Sequence, residues 1–295
     1  MYLLNSYIHI FNSMPMEIRE IMFAIIGLVT GSFINVITIR NSDKNTREKL
    51  ERDYVLENYG VDIKPDLKES VFNNMRSVCP TCGKQLAWYH NIPIFSYIFL
   101  RGRCAFCRTH ISFEYPVVEM LVCWLFVYSA YSFHFLFSIH VLLVAFILSV
   151  SVVISTIDLK TSTIMDKHSI ALVIASVFLL TESGFIAMHV LCLSMLGVVG
   201  LYIFVNVYEK LRAKITGSKL NVFGDGDYAL IFVLLITMIS SPLSYKYAFG
   251  SLDIIVGGFV FMSVLQIILS VIIKKKQVPL APAILITNAL LLMSH

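Results

Sequence analysis

Two Cys-x-x-Cys pairs are the most specific chemical feature of the sequence. Cys79 and Cys82 form the first pair, Cys104 and Cys107 the second, and 21 residues lie between them. Each pair offers two sulfurs from one tight turn, a pattern typical of a tetrahedral zinc site. Because four protein ligands leave no open coordination position, we expect a structural Zn²⁺. A redox pair and buried free thiols are the alternatives, and His110 could replace one sulfur.

Two aspartates stand at the ends of apolar segments, where an ionisable side chain is costly and suggests a function. Asp158 closes one segment, and Asp227 opens another after Gly224 and Gly226, which let a second backbone approach closely. Carboxylates that share one proton can activate water and protonate a leaving amine. The pair therefore predicts peptide hydrolysis, with ion-coupled transport and simple helix-end acids as alternatives. Asp225 occupies the variable position of the same turn and is expected to be a solvated loop acid.

The helix dipoles predict which aspartate holds the proton at rest. Asp227 begins a helix, where the dipole favours an anion, and Asp158 ends one, where the dipole opposes it. We therefore expect Asp158 to be protonated and Asp227 to act as the base. Two further acids, Glu119 and Asp253, lie near the starts of other apolar segments, where a helix cap or a basic neighbour would account for them.

The elements that must position these residues are membrane helices. Hydrophobic residues make up 57% of the 295-residue chain and charged residues only 14%, with a mean hydropathy of +0.78. These values exclude a soluble enzyme, a disordered linker and a disulfide-rich secreted module. Helices of roughly 20 apolar residues cross a bilayer. The sequence predicts eight spans, near Ile18–Ile39, Val117–Phe137, Ile139–Ile157, Ser169–Thr181, Phe185–Val207, Tyr228–Ile239, Leu252–Ile273 and Val278–Met293.

The basic residues indicate how these spans are oriented. In an eight-span arrangement, 21 of the 23 Lys and Arg residues lie in the four connections on one side. The positive-inside rule puts these connections in the cytoplasm and both termini outside. We predict an all-α polytopic membrane protein with three parts: 1–40, an outer N-terminus and the first span; 41–116, a small cytoplasmic zinc-binding domain; and 117–295, a seven-helix membrane core.

Several motifs extend these features over most of the chain. In order they are Gly31-Ser32-Phe33-Ile34-Asn35-Val36 with Arg40, the two cysteine pairs, Trp88-Tyr89-His90-Asn91-Ile92-Pro93, Leu100-Arg101-Gly102-Arg103-Cys104, Tyr115-Pro116-Val117-Val118-Glu119, Asp158 and Gly224-x-Gly226-Asp227. Together they resemble the type IV prepilin peptidases, membrane aspartic proteases of the Gly-x-Gly-Asp class. One departure is Glu114, where that family usually has a basic residue.

The resemblance implies that Asp158 and Asp227 are catalytic, with Gly224 and Gly226 supporting the motif. It implies cleavage of a short, positively charged leader from prepilins and pseudopilins at the cytoplasmic face of the bacterial inner membrane. N-methylation of the new terminus by S-adenosylmethionine is expected to follow, through residues that the motifs do not identify. No nucleic-acid partner is expected, and a homodimer is left open because Gly27 and Gly31 have small-xxx-small spacing.

Three other functions compete with this interpretation. A transporter would use the two aspartates as a proton relay but would leave the cysteine pairs unexplained. A non-catalytic assembly protein would use the zinc loop to dock onto secretion machinery. A presenilin-type protease shares the Gly-x-Gly-Asp motif but lacks the paired cysteines.

Overall fold

The computed structural model describes residues 2–40, 56, 77, 79, 81–82, 84–161, 164–181, 185–216, 224–240, 257–258, 260–266, 268 and 280–292. The chain divides into two compact units, Met1–Ser138 and Ile139–His295. Within the described ranges the regular structure is helical, apart from isolated β-bridge positions such as the pair Arg103 and His110. The predicted all-α membrane fold is confirmed.

The first unit is built on two long helices that lie side by side. Its helices are α1 (Tyr2–Asn12), α2 (Met16–Arg40), α3 (Phe95–Phe99) and α4 (Glu114–Ser132), with a 3₁₀ turn at Trp88–Asn91. Helix α2 packs along α4, and two glycines allow the close approach. A Cβ atom on Gly27 would lie 2.7 Å from the Cα of Cys123, and one on Gly31 would lie 2.8 Å from the Cα of Glu119. The small-xxx-small pair thus packs inside the chain.

Helix α1 and its contacts were not predicted from the sequence. The side chain of Asn12 bonds both backbone groups of Phe137, accepting from its N–H at 2.8 Å and donating to its carbonyl at 3.5 Å. The guanidinium of Arg19 donates to the carbonyl of Phe135 at 3.2 Å. These bonds hold the chain that follows α4, where His134 and Phe135 both adopt positive φ. Helix α4 accordingly ends at Ser132, before the predicted limit of Phe137.

In the second unit, four helices pack as a closed ring. Its helices are α5 (Ile139–Thr161), α6 (Asp166–Thr181), α7 (Phe185–Thr216), α8 (Asp225–Ser240) and α9 (Ala281–Leu292). Helix α5 packs on α6 and α9, helix α8 packs on the same two, and α7 lies against α8. Helix α9 is apolar on nearly every side and is therefore mostly buried. Inside the ring, the buried Thr237 hydroxyl donates to the Asn288 side-chain carbonyl at 2.6 Å.

Seven of the eight predicted spans coincide with a helix. Among the described residues, four helical segments are long and apolar enough to cross a membrane, and α8 and α9 are shorter apolar helices; the four are Met16–Ile39, Glu114–Ser132, Ile139–Thr161 and Met188–Arg212. The seventh predicted span, Leu252–Ile273, lies largely outside the described residues, as does Asp253. The total of eight therefore stays a prediction. The three predicted domains also stay a prediction, although the contacts group α4 with α2 rather than with the later helices.

Candidate active site and metal centre

The four predicted cysteines come together in the first unit. Their sulfur atoms all lie within 4.8 Å of one another, and the Cys79 and Cys107 sulfurs are 3.8 Å apart. A tetrahedral zinc with bonds of about 2.3 Å would separate its sulfurs by about 3.8 Å, so the cluster fits that ion. The four are free thiols rather than disulfides. His110 lies in the bridge with Arg103 and does not belong to the cluster.

The two cysteine turns repeat the same backbone pattern with an offset of 25 residues. The N–H of Cys79 donates to the carbonyl of Lys84 at 3.0 Å, and that of Cys104 donates to the carbonyl of Thr109 at 2.9 Å. A second bond flanks each turn: the N–H of Leu86 donates to the carbonyl of Ser77, and the N–H of Ile111 donates to the carbonyl of Gly102, both at 2.8 Å. Each pair of sulfurs is therefore presented by an equivalent turn. Such turns fix two ligands before the ion binds.

The four thiols differ in their electrostatic surroundings. Burial raises the pKa of Cys79 to about 12 and raises that of Cys82 above its ordinary value. At Cys107, which is exposed, the hydroxyl of Thr109 stabilises the thiolate and lowers the pKa to about 6. A metal that binds near neutral pH must displace the protons of Cys79 and Cys82.

Asp158 lies at the end of α5 and contacts the start of another helix. Its side chain is only 4% exposed, and one carboxylate oxygen accepts the N–H of Ala281 at 3.1 Å. Ala281 is the first residue of α9, so Asp158 lies at the N-terminus of that helix. The dipole of α9 favours the anion that the dipole of α5 opposes, so Asp158 lies between two opposing helix ends. Which aspartate holds the proton stays a prediction.

Asp227 lies in the first turn of α8 and is half-buried. Its carboxylate accepts the N–H of Gly224 at 2.9 Å, while its own N–H donates to the Gly224 carbonyl at 3.0 Å. Gly226 packs against Ile164, because a Cβ atom there would lie 2.7 Å from the Ile164 Cγ2. This contact places the start of α8 on the connection between α5 and α6.

These contacts bring both aspartates to one end of the helix ring. The end of α5, the connection that follows it, and the starts of α8 and α9 meet there through the Asp158–Ala281 bond and the Gly226–Ile164 contact. Two buried or half-buried carboxylates from separate helices at one end of a bundle suit acid–base chemistry.

Comparison with known proteins agrees with these sites. The model of the family described as Bacterial Peptidase A24 N-terminal domain matches residues 25–133, which include most of α2, both cysteine turns and α4. The prepilin leader peptidase/N-methyltransferase of Neisseria gonorrhoeae is 32% identical over 219 residues, which cover 72% of this chain and 71% of that protein. The protein of the same name from Legionella pneumophila is 28% identical over 226 residues, 74% of each chain.

The chain belongs to the prepilin leader peptidase/N-methyltransferase family. The resemblance inferred from the motifs is thus confirmed. The Vibrio cholerae member is 36% identical over 103 residues, 34% of this chain and 33% of that protein. No solved structure matches the chain significantly.

Sequence reasoning missed how the remaining family motifs meet in the first unit. Glu119 is 8% exposed and accepts the N–H of Ile94 at 2.8 Å and a hydrogen bond from the Ser32 side chain. The side-chain amide of Asn35 donates to the carbonyl of Tyr115 at 3.2 Å. Ile94 immediately precedes α3, so the Glu119 carboxylate lies at the start of that short helix. The signal that could have found this role is the appearance of Glu119 and Ser32 in two of the motifs, with Ile94 directly after a third.

Proposed function

We propose that this protein is a membrane aspartic endopeptidase that cleaves the leader of prepilins and pseudopilins and then N-methylates the new terminus. The relatives named above carry both activities in their names. The observation that best supports the peptidase role is the convergence of Asp158 and Asp227 at one end of the α5, α6, α8 and α9 ring. The other motifs of the family lie in the first unit, as does the cysteine cluster.

In the proposed hydrolysis the two carboxylates divide one proton between them. The ionised carboxylate removes a proton from a water molecule as the water oxygen attacks the scissile carbonyl carbon. The protonated carboxyl group donates its proton to the carbonyl oxygen. When the C–N bond breaks, the amine leaves with a proton returned by the pair. The pair titrates as a unit. The backbone amides of Ala281 and Gly224 hold one oxygen of each carboxylate in place.

Methylation would act on the amine that hydrolysis releases. S-adenosylmethionine would supply the methyl group from its sulfonium sulfur and leave as S-adenosylhomocysteine, and the amine would lose a proton as the new N–C bond forms. The described residues contain no cluster that identifies the binding site of this donor, so no residue is given that role. Zinc, held by Cys79, Cys82, Cys104 and Cys107, would be structural, because four sulfur ligands leave no position for a substrate.

The proposed location is the bacterial inner membrane, with the aspartates at the cytoplasmic end. The concentration of Lys and Arg in the four connections on one side supports this orientation. A prepilin held in the bilayer by its apolar segment would then present its leader at the level of both carboxylates.

The test is incubation of the purified, reconstituted protein with a prepilin, read by intact mass. We expect loss of the leader mass without S-adenosylmethionine, and a further methyl mass when it is added. Cleavage without the added methyl group would restrict the function to proteolysis. An uncleaved prepilin under conditions in which a known family member cuts it would refute the peptidase, and proton flux in the same vesicles would then favour the transporter.

A further inference from the structure

A short segment of the first unit exposes large apolar side chains that the proposed chemistry does not use. In helix α3, Phe95, Ile98 and Phe99 are 56%, 62% and 82% exposed. Residues spaced by three and four positions share one face of a helix, so the three form one apolar surface. We call this surface, with the neighbouring exposed ring of Phe113, the apolar patch. An apolar face of this kind marks an interaction surface.

The apolar patch continues onto the surface of a membrane-spanning helix. The Phe113 ring lies 6.1 Å from that of Tyr97 in α3 and immediately precedes α4. On α4, exposed apolar residues follow Phe113 at helical spacing: Val117, Met120, Leu121 and Trp124. This stripe is the surface of α4 that is exposed in the first unit, and a helix that spans the membrane would turn it to lipid. The patch is its extension beyond the helix N-terminus.

A buried hydrogen bond fixes the depth of α3. Ile94, immediately before α3, donates its N–H to Glu119, which is five residues from the start of α4. Helix α4 has 19 residues, a length of about 28 Å, close to the roughly 30 Å of the hydrocarbon core. Its first turns therefore lie near the bilayer boundary. Because Glu119 ties α3 to these turns, α3 lies at the same boundary.

The charges around the patch suit a lipid headgroup layer. Residues 84–113 contain four Lys and Arg residues and no Asp or Glu. Lys84, Arg101, Arg103 and Arg108 are all exposed, and Arg101 follows α3 after a single residue. Basic side chains next to exposed aromatic and aliphatic ones are typical of segments that lie in the interface of an anionic membrane.

We propose that α3 and the apolar patch insert into the interface of the same bilayer that α4 crosses, with the surrounding basic residues on anionic headgroups. The segment between the two cysteine turns is then a membrane anchor for the metal-binding region rather than a water-exposed loop. The inference does not depend on the peptidase chemistry, because it requires only that α4 spans the membrane.

Fluorescence quenching in reconstituted vesicles tests this position directly. The chain has two tryptophans, Trp88 and Trp124. The variant Trp88→Phe/Trp124→Phe/Phe99→Trp carries one tryptophan, in the apolar patch. It is reconstituted into vesicles of phosphatidylcholine and phosphatidylglycerol, with lipids brominated either near the headgroup or near the bilayer centre. The variant Trp88→Phe keeps only Trp124 on the lipid-facing stripe and is the positive control. Free tryptophan amide in the same suspension is the aqueous control.

We expect lipids brominated near the headgroup to quench about half of the emission at position 99, and more than lipids brominated at the centre. Acrylamide should quench it far less than the free amide. Quenching by acrylamide as strong as for the free amide, with no effect of bromine, would overturn the proposal. A tryptophan that neither quencher reaches would equally overturn it, because a protein surface would then cover the patch. If the triple variant does not retain metal, Trp88 in the single variant Trp124→Phe gives the same comparison next to α3.

Discussion

At the scale of single residues, the aspartate pair carries the proposed reaction, and Asp225 offers a matched control. We expect Asp158→Asn and Asp227→Asn each to reduce cleavage by roughly 10²–10⁴-fold, because an amide can neither take nor give the proton. Asp225→Asn should retain substantial cleavage, since Asp225 occupies the variable position of the motif. The measurement is the rate of leader removal in membranes with equal protein levels by immunoblot. Substantial turnover by either of the first two variants would remove the pair from the mechanism.

Alanine substitutions at Gly224 and Gly226 should differ in their effect on cleavage, although both glycines belong to the same motif. A Cβ atom on Gly226 would meet Ile164 at 2.7 Å, whereas one on Gly224 would have its nearest contact at an ordinary 3.7 Å. Isoleucine is stiff at this branch, so Gly226→Ala must shift the first turn of α8 and with it Asp227. We expect a loss of cleavage of about 10²-fold for Gly226→Ala and little loss for Gly224→Ala. Equal rates for the two alanine variants would contradict the contact with Ile164.

At the scale of elements, the paired cysteine turns predict how metal affinity depends on pH. The pKa of Cys79 is raised to about 12 and that of Cys82 is also raised, so both thiols are protonated at neutral pH and must lose a proton to bind metal. The pKa of Cys107 is lowered to about 6, so it is already ionised. We expect zinc affinity to rise at least roughly a hundredfold between pH 7 and 8, about tenfold for each of the two protons that Cys79 and Cys82 must lose.

Competition with a chromophoric chelator at a series of pH values measures this slope. Below about pH 6 the slope should steepen, because Cys107 then also gives up a proton. Cys79→Ser and Cys104→Ser should lose metal and thermal stability together. Loss of the metal with undiminished stability would show that the ion is not structural.

The contact between α2 and α4 gives a second prediction at this scale. Gly27→Ala places a methyl group where the backbone of Cys123 already lies, so the two helices must separate. We expect a loss of about 1–3 kcal/mol in the free energy of unfolding. The control is Gly200→Ala on the exposed α7, where the added Cβ has open space; removing a flexible glycine there should stabilise by about 0.5–1 kcal/mol. Thermal unfolding in one detergent compares them, and equal melting temperatures for both variants would contradict the packing.

The elements that the sequence predicted best are those with long apolar runs. Spans one, three and five match α2, α5 and α7, although α7 continues to Thr216 because its polar last turns can extend into water. The cysteine cluster could be predicted because local spacing sets its geometry. Helix α1 was missed because its role depends on the contact of Asn12 with Phe137, 125 residues away. The partner of Asp158 was missed for the same reason, since Ala281 is distant in sequence.

At the scale of the whole molecule, the contacts of the second unit agree with the predicted parity of the spans. The eight-span arrangement puts the end of span three and the starts of spans six and eight on one side of the membrane. The bond between Asp158 and Ala281 joins the end of span three to the start of span eight. The contact of Gly226 with Ile164 joins the start of span six to the connection that follows span three. The distribution of basic residues and the packing of the helices are independent observations. Both require an even number of membrane crossings between the end of span three and the start of span six, and between the starts of spans six and eight.

The absolute orientation follows from the basic residues and can be tested on the full chain. Because 21 of 23 Lys and Arg residues lie in the connections on one side, that side should face the cytoplasm. A fluorescent protein that matures only in the cytoplasm should be dark when it is fused to the full chain after His295. It should be bright when it is fused to a chain truncated after Lys219. Equal expression by immunoblot controls for degradation. Fluorescence at His295 would mean an even number of spans beyond Lys219 instead of the predicted three, and darkness at Lys219 would place both aspartates on the outer face, away from a cytoplasmic leader.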